Sequence, residues 1–168
     1  ELKEKLDGTV PTLPTRWLTG QDEALNLGGM AIEVKHRKGG HTPGDLMVWL
    51  PQQKVVFSGD IVYVDRLLGV LPFSHAGRWL ESFAVLESLK PARIVPGHGD
   101  VCELPQAQAQ TRDYLQALRT HMKNAVDNGD DISAAIKAFD AKPWMGLLNA
   151  ADLHPGNASR TYLELERE

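Results

Sequence analysis

Gly40-His41-Thr42-Pro43-Gly44-Asp45, Phe57-Ser58-Gly59-Asp60 and Pro96-Gly97-His98-Gly99 decide how this chain is read. Each reads as a strand end joined to a glycine-rich turn that carries one side chain able to ligate a metal. Val48-Trp49-Leu50, Val55-Val56-Phe57 and Ile94-Val95 are the short apolar runs beside them. β-Branched and aromatic residues in such runs favour strands. Loops at strand ends are where a rigid scaffold holds chemistry. Imidazole nitrogens and a carboxylate oxygen are donors that zinc, iron or manganese accept. Pro43 keeps Thr42 extended and Gly44 permits a tight turn, which presents His41. Asp45 is expected to brace that turn through its side chain rather than to ligate.

Working outward, 46–50 and 54–58 form a hairpin turned by Pro51-Gln52-Gln53. His41 and Asp60 therefore flank a strand pair and can converge at one sheet end. Residues 23–27 and 30–36 alternate polar and apolar around Gly28-Gly29, which predicts a second hairpin. His36, near its end, reads as an exposed strand residue. Ile61 to Val64 follow Asp60 and lead into a loop holding Pro72 and His75. His75 reads as structural, with substrate contact as the alternative. Trp79, Phe83, Leu86 and Leu89 recur at helical spacing over 78–89. A short strand over 92–95 then delivers His98.

Upstream, residues 1–6 look like the tail of a helix stopped by Asp7-Gly8. Pro11 to Pro14 is an extended stretch, because two prolines in four residues exclude a regular helix. Arg16-Trp17-Leu18 suits an edge strand. Downstream, an apolar stripe from Ala109 through Tyr114, Leu118 and Met122 predicts one long helix from Pro105 to Asn128. Further helices are expected over 131–139 and 157–166, with Asn157 or a neighbour capping the last. His121 is expected at the surface of the long helix, and Cys102 as a small apolar residue near a turn. Asn157-Ala158-Ser159 matches a glycosylation acceptor, a frequent chance match.

The 168 residues are one domain's worth, and 42% apolar content can build a core. A net charge of −4 without a basic block argues against a nucleic-acid partner and for small-molecule or protein partners. The single cysteine, Cys102, excludes an internal disulfide, so no oxidising compartment is implied. No apolar run approaches the length of a membrane span. A soluble protein of the cytoplasm or periplasm is the expectation.

The order GHTPGD, strand hairpin, SGD, helical stretch, PGHG resembles the metallo-β-lactamase superfamily over roughly residues 25–99. The resemblance implies an α/β fold: the C-terminal half of an αββα sandwich, a mixed β-sheet with flanking helices. It implies His41 as a ligand of a first metal, Asp60 as the carboxylate bridging both metals, and His98 as a ligand of the second. The family's H-x-H-x-D-H signature belongs before His41, where this chain has only His36, and the chain opens on Glu1. The expectation is a single partial domain: 1–22 a linker from the other half, 23–100 the metal-motif core, 101–168 C-terminal helices.

Two functions follow from that resemblance. In the first, the intact protein is a metal-dependent hydrolase with two ions, zinc first, iron or manganese as alternatives. Metal-bound hydroxide, oriented by Asp60, attacks the carbonyl of a small ester, thioester, lactone or lactam. The chain alone is then inactive, metal-poor and prone to self-association, because a sheet face is left bare. In the second, the chain is a non-catalytic binding or scaffold domain of the same fold.

Overall fold

A computed structural model describes residues 5–18, 22–37 and 39–168. Its centre is a five-stranded mixed sheet: β1 (Glu23–Leu27), β2 (Met30–His36), β3 (Leu46–Leu50), β4 (Val55–Tyr63) and β5 (Arg93–His98), in that spatial order. β1 to β4 pair antiparallel, and β5 lies parallel to β4. Parallel neighbours need a crossover, and helix α1 (Ala76–Ser88) supplies it. This is the predicted α/β half-sandwich.

Paired residues share a face of the sheet and alternate along each strand. Glu33, Trp49, Val56 and Ile94 form one cross-strand row, and Val34, Val48, Phe57 and Val95 form the next. The first row turns toward the helices, where Val56 and Ile94 are fully buried. Trp79, Phe83 and Leu86 of α1 are buried there too. The second row lies on a face without helical cover: Phe57, Leu46 and Leu25 are 44%, 38% and 36% exposed. Among the described residues the sheet is thus apolar on both faces and covered by helices on one.

The C-terminal third forms the rest of that cover, with two departures from the expected helices. The long helix is interrupted: α2 (Leu104–Ala107) runs through a π-helical turn, Gln108–Arg112, into α3 (Asp113–Asn128). Next come α4 (Ile132–Ala138), a 3₁₀ turn over Lys142–Trp144, and α5 (Ala150–Leu165). α5 starts seven residues before Asn157 and carries Pro155 inside it. Pro155 and Gly156 are poor helix residues, but burial of Ala158, Tyr162 and Leu165 in the core outweighs them. Asn157 is accordingly not a cap. It is fully buried, accepts a hydrogen bond from Val70 N (2.7 Å) and donates to Leu68 O (2.7 Å). Such a side chain is closed to glycosylation.

Three smaller expectations also change. Arg16 to Leu18 forms no strand, and Trp17 is exposed. β4 runs on through Tyr63, so Asp60 lies within the strand rather than beyond it. His121 is half-buried, bonding Ala135 O at 2.9 Å and packing edge-on against Phe139. Most of the 1–6 helix tail lies outside the described residues. Among the described residues no helix is long and apolar enough to cross a membrane.

A buried polar chain joins α5 to α3. Asn157 Nδ2 donates to the Tyr114 hydroxyl at 3.2 Å, and that hydroxyl lies 3.0 Å from His154 Nδ1. With its oxygen accepting from Asn157, Tyr114 donates to a neutral His154. Burial holds His154 below its ordinary pKa. In the unfolded chain the ring takes up a proton near pH 6.5, whereas the folded ring resists until lower pH. Its contribution is therefore fully present above about pH 6.5 and is lost as pH falls from there through the lower value of the folded ring. Thermal unfolding should shift to lower temperature between about pH 7 and pH 5. His154→Gln should flatten that dependence; an unchanged slope would exclude His154 as its source.

Candidate metal centre

His41, Asp60 and His98 converge at one end of β4 and β5. Asp60 lies between the histidines and offers each a different oxygen. Oδ2 is 3.3 Å from His41 Nδ1, and Oδ1 is 3.7 Å from His98 Nε2. The three do not close on a single point. Among the described residues, the one group of three whose ligating atoms all lie within 4.8 Å of one another is His75, Glu164 and Glu168.

The turn holding His41 is bonded on every side. Thr42 N donates to Asp45 Oδ2 at 2.9 Å and the Thr42 hydroxyl bonds Oδ1, so Asp45 braces the turn. His36 Nδ1 lies 2.9 Å from Asp45 O, which ties β2 to the same turn. From the other side Ser74 Oγ donates to His41 O (2.6 Å) and His75 N to Gly40 O (2.8 Å). The His41 ring stands edge-on to Trp79 with centroids 5.4 Å apart. Trp79 itself is fully buried and donates from Nε1 to Ile61 O at 2.9 Å.

Asp60 is aimed by an irregularity in β4. Gly59 has φ +50°, and the β4–β5 register shifts on either side of it. A bulge of this kind re-aims the next side chain. Gly97, from β5, comes so close that a Cβ there would sit 2.0 Å from Asp60 Oδ1 and 2.7 Å from Gly59 C. Gly97→Ala should therefore displace the carboxylate and weaken zinc binding by about 10-fold or more. Calorimetric titration checks this, and wild-type affinity would contradict it.

His98 ends β5, and its carbonyl accepts from Val64 N at 3.0 Å. Its ring stacks on Tyr63 with centroids 4.6 Å apart. On its far side Nδ1 lies 3.4 Å from Arg66 Nη1. Arg66 Nε is buried without a hydrogen-bond partner, and no carboxylate of the described residues forms an ion pair with this guanidinium. Tyr63 is 3% exposed and its hydroxyl donates to Asp60 Oδ2 at 3.0 Å. Burial, then the Asp60 charge, hold its phenol well above the ordinary pKa, so it remains an O–H donor. Neither Tyr63 nor Arg66 stood out in the sequence. Their signal was position only, three and six residues after Asp60.

The donor types suit divalent metals: two imidazoles, one on either side of a shared carboxylate. The His75 cluster does not. Glu164 already accepts from Ala76 N (2.7 Å), Gly77 N (3.2 Å) and Arg119 Nη1 (2.5 Å), and lies 3.0 Å from His75 Nδ1. Arg119 also donates to both oxygens of Glu168. The guanidinium occupies the position a cation would need. This network caps the N-terminus of α1, where His75 is the N-cap residue, and so places His75 in the scaffold.

The sequence pattern of the Metallo-beta-lactamase superfamily matches residues 7–98. The chain belongs to that superfamily. It is 39% identical over 98 residues to the hydroxyacylglutathione hydrolase GloC of Haemophilus influenzae, covering 56% of this chain and 45% of that protein. It is 29% identical over 92 residues to the acyl-coenzyme A thioesterase MBLAC2 of Gallus gallus, covering 52% and 32%. Among solved structures, a double mutant of the sec-alkyl sulfatase PisA1 superposes with TM-score 0.70 at 19% identity, covering 89% of this chain and 26% of that one. That likeness shows the fold. The matches span less than half the length of these relatives.

Proposed function

We propose that this chain supplies one part of the two-metal centre of a hydrolase acting on a small acyl substrate. The observation that carries the reading is Asp60 between His41 and His98, with a separate oxygen toward each. His41 would serve one metal, His98 the other and Asp60 both. Each metal then has two protein ligands from these residues, where a catalytic zinc normally has three plus water. The remaining ligands belong to a second sheet seated on the bare face that carries Leu25, Leu46 and Phe57. Zinc is the first metal to test; iron or manganese accept the same donors.

When bound, zinc supplies a Lewis acid and lowers the pKa of a water to about 7. The chain's own residues hold and orient. Asp60 is the acceptor positioned to align that water, and the His41 turn is fixed through Asp45, Ser74 and His75. Arg66, a guanidinium beside His98 with no ion-pair partner among the described residues, suits an anionic group on the substrate. Esters, thioesters, lactones and lactams are the substrate class. The names of the thioesterase and hydroxyacylglutathione hydrolase relatives favour thioesters for the first assay.

The test is turnover of acyl-coenzyme A and hydroxyacylglutathione thioesters by the full-length protein, before and after chelation. Activity lost on chelation and restored by zinc is expected. A zinc-saturated protein that turns over no ester, thioester, lactone or lactam would support a scaffold role instead. For the chain alone, the bare face should be covered by a second copy. Sedimentation velocity should show a dimer or larger species, and a clean monomer would contradict this.

A further inference from the structure

Tyr63 touches all three candidate ligands. Its hydroxyl bonds Asp60 Oδ2, its ring stacks on His98, and its centroid lies 5.9 Å from that of His41. An aspartate's terminal torsion is broad, so a carboxylate without such a bond would not keep one oxygen toward each histidine. The bond is made on Oδ2, the oxygen facing His41, which leaves Oδ1 facing His98.

Tyr63 is itself held from the helical layer. Thr111 Oγ1 accepts from Tyr63 N at 3.0 Å and donates to Tyr63 O at 2.6 Å. The preceding residue binds the same strand end: Gln110 Oε1 accepts from Asp65 N at 2.7 Å. Successive side chains of a regular α-helix point about 100° apart. Here the helix is π-helical over Gln108–Arg112, and both adjacent side chains bond the end of β4. Single π-turns inside α-helices frequently mark functional sites. Thr111 is fully buried, so its hydroxyl has no role at the surface.

We propose that Tyr63 is a positioning residue: its hydroxyl, set in place by Thr111, fixes the Asp60 carboxylate with Oδ2 toward His41 and Oδ1 toward His98. The proposal rests on Asp60 as the shared metal ligand. Three variants of the full-length protein test it. Tyr63→Phe keeps the ring against His98 and removes the hydroxyl. Thr111→Val keeps the volume and removes both bonds to Tyr63. Thr111→Ser keeps both bonds.

Two readouts separate the possible failures. The ¹³C resonance of the Asp60 carboxylate in metal-free protein reports the hydroxyl bond. A zinc titration to millimolar concentration, followed by the His41 and His98 ring resonances, reports metal binding. Tyr63→Phe and Thr111→Val should both move the carboxylate resonance and weaken zinc by about 10- to 100-fold. Thr111→Ser should behave as wild type in both. If wild type binds zinc and the first two variants bind it equally well, the positioning role is wrong and the metal reading stands. If wild type shows no zinc response at either histidine, the metal reading fails and the positioning role falls with it.

Discussion

In the full-length protein, Asp60→Asn is expected to abolish saturable zinc binding at His41 and His98, a loss of more than about 100-fold. Removing only an outer hydrogen-bond partner of a metal ligand already costs about 10- to 100-fold. Asp60 contributes more than an outer partner. Among the described residues it is the sole carboxylate paired with both rings, it faces both within 3.7 Å, and asparagine removes its charge. His41→Ala or His98→Ala should be milder, because each leaves one histidine and the carboxylate in place. A zinc titration read at the surviving ring resonances gives the order. Asp60→Asn binding as well as either histidine variant would refute a shared carboxylate.

Trp79→Ala should destabilise the fold more than any substitution of His41, Asp60 or His98. Truncating a fully buried tryptophan costs about 3–5 kcal/mol. At this position the Ile61 carbonyl also loses its donor, and an unsatisfied buried acceptor adds about 1–3 kcal/mol. The His41 ring loses the indole it stands against, and Gly40 loses the side-chain surface it abuts. Urea unfolding checks the prediction. A loss below about 1.5 kcal/mol would mean that the site collapses to fill the gap.

Much of the fold was legible because the local signals agreed with the tertiary structure. The alternation around Gly28-Gly29 gave β1 and β2, and the helical spacing from Trp79 to Leu86 gave α1. His41, Asp60 and His98 were legible because each is flagged by glycines that its geometry requires. Gly97 shows why: the backbone of β5 passes too near Asp60 for any side chain. What stayed hidden depends on contacts between distant segments. The helical stripe from Ala109 to Met122 contains no mark of the π-turn, whose purpose is visible only with the end of β4 beside it. Thr111 lies 48 residues from the Tyr63 it holds. Pro155-Gly156 reads as a break, yet it lies within α5 because the residues after it are buried in the core.

The bare sheet face connects fold to function. Among the described residues the helices bury one apolar row of side chains, while Phe57, Leu46 and Leu25 on the other face stay open. The candidate ligands His41, Asp60 and His98 lie at the end of that sheet. A second sheet seated there would cover the apolar row and bring ligands to the same edge. In the proposed reading, the incomplete metal shell and the uncovered face would both be met by one added element.

Anomalous diffraction at the zinc absorption edge, on zinc-soaked crystals of the full-length protein, tests most directly whether His41, Asp60 and His98 hold metal. The expected result is a peak within ligand distance of Asp60 and of His41, His98 or both. No peak there, or a peak at His75, Glu164 and Glu168 instead, would contradict a metal centre built on Asp60.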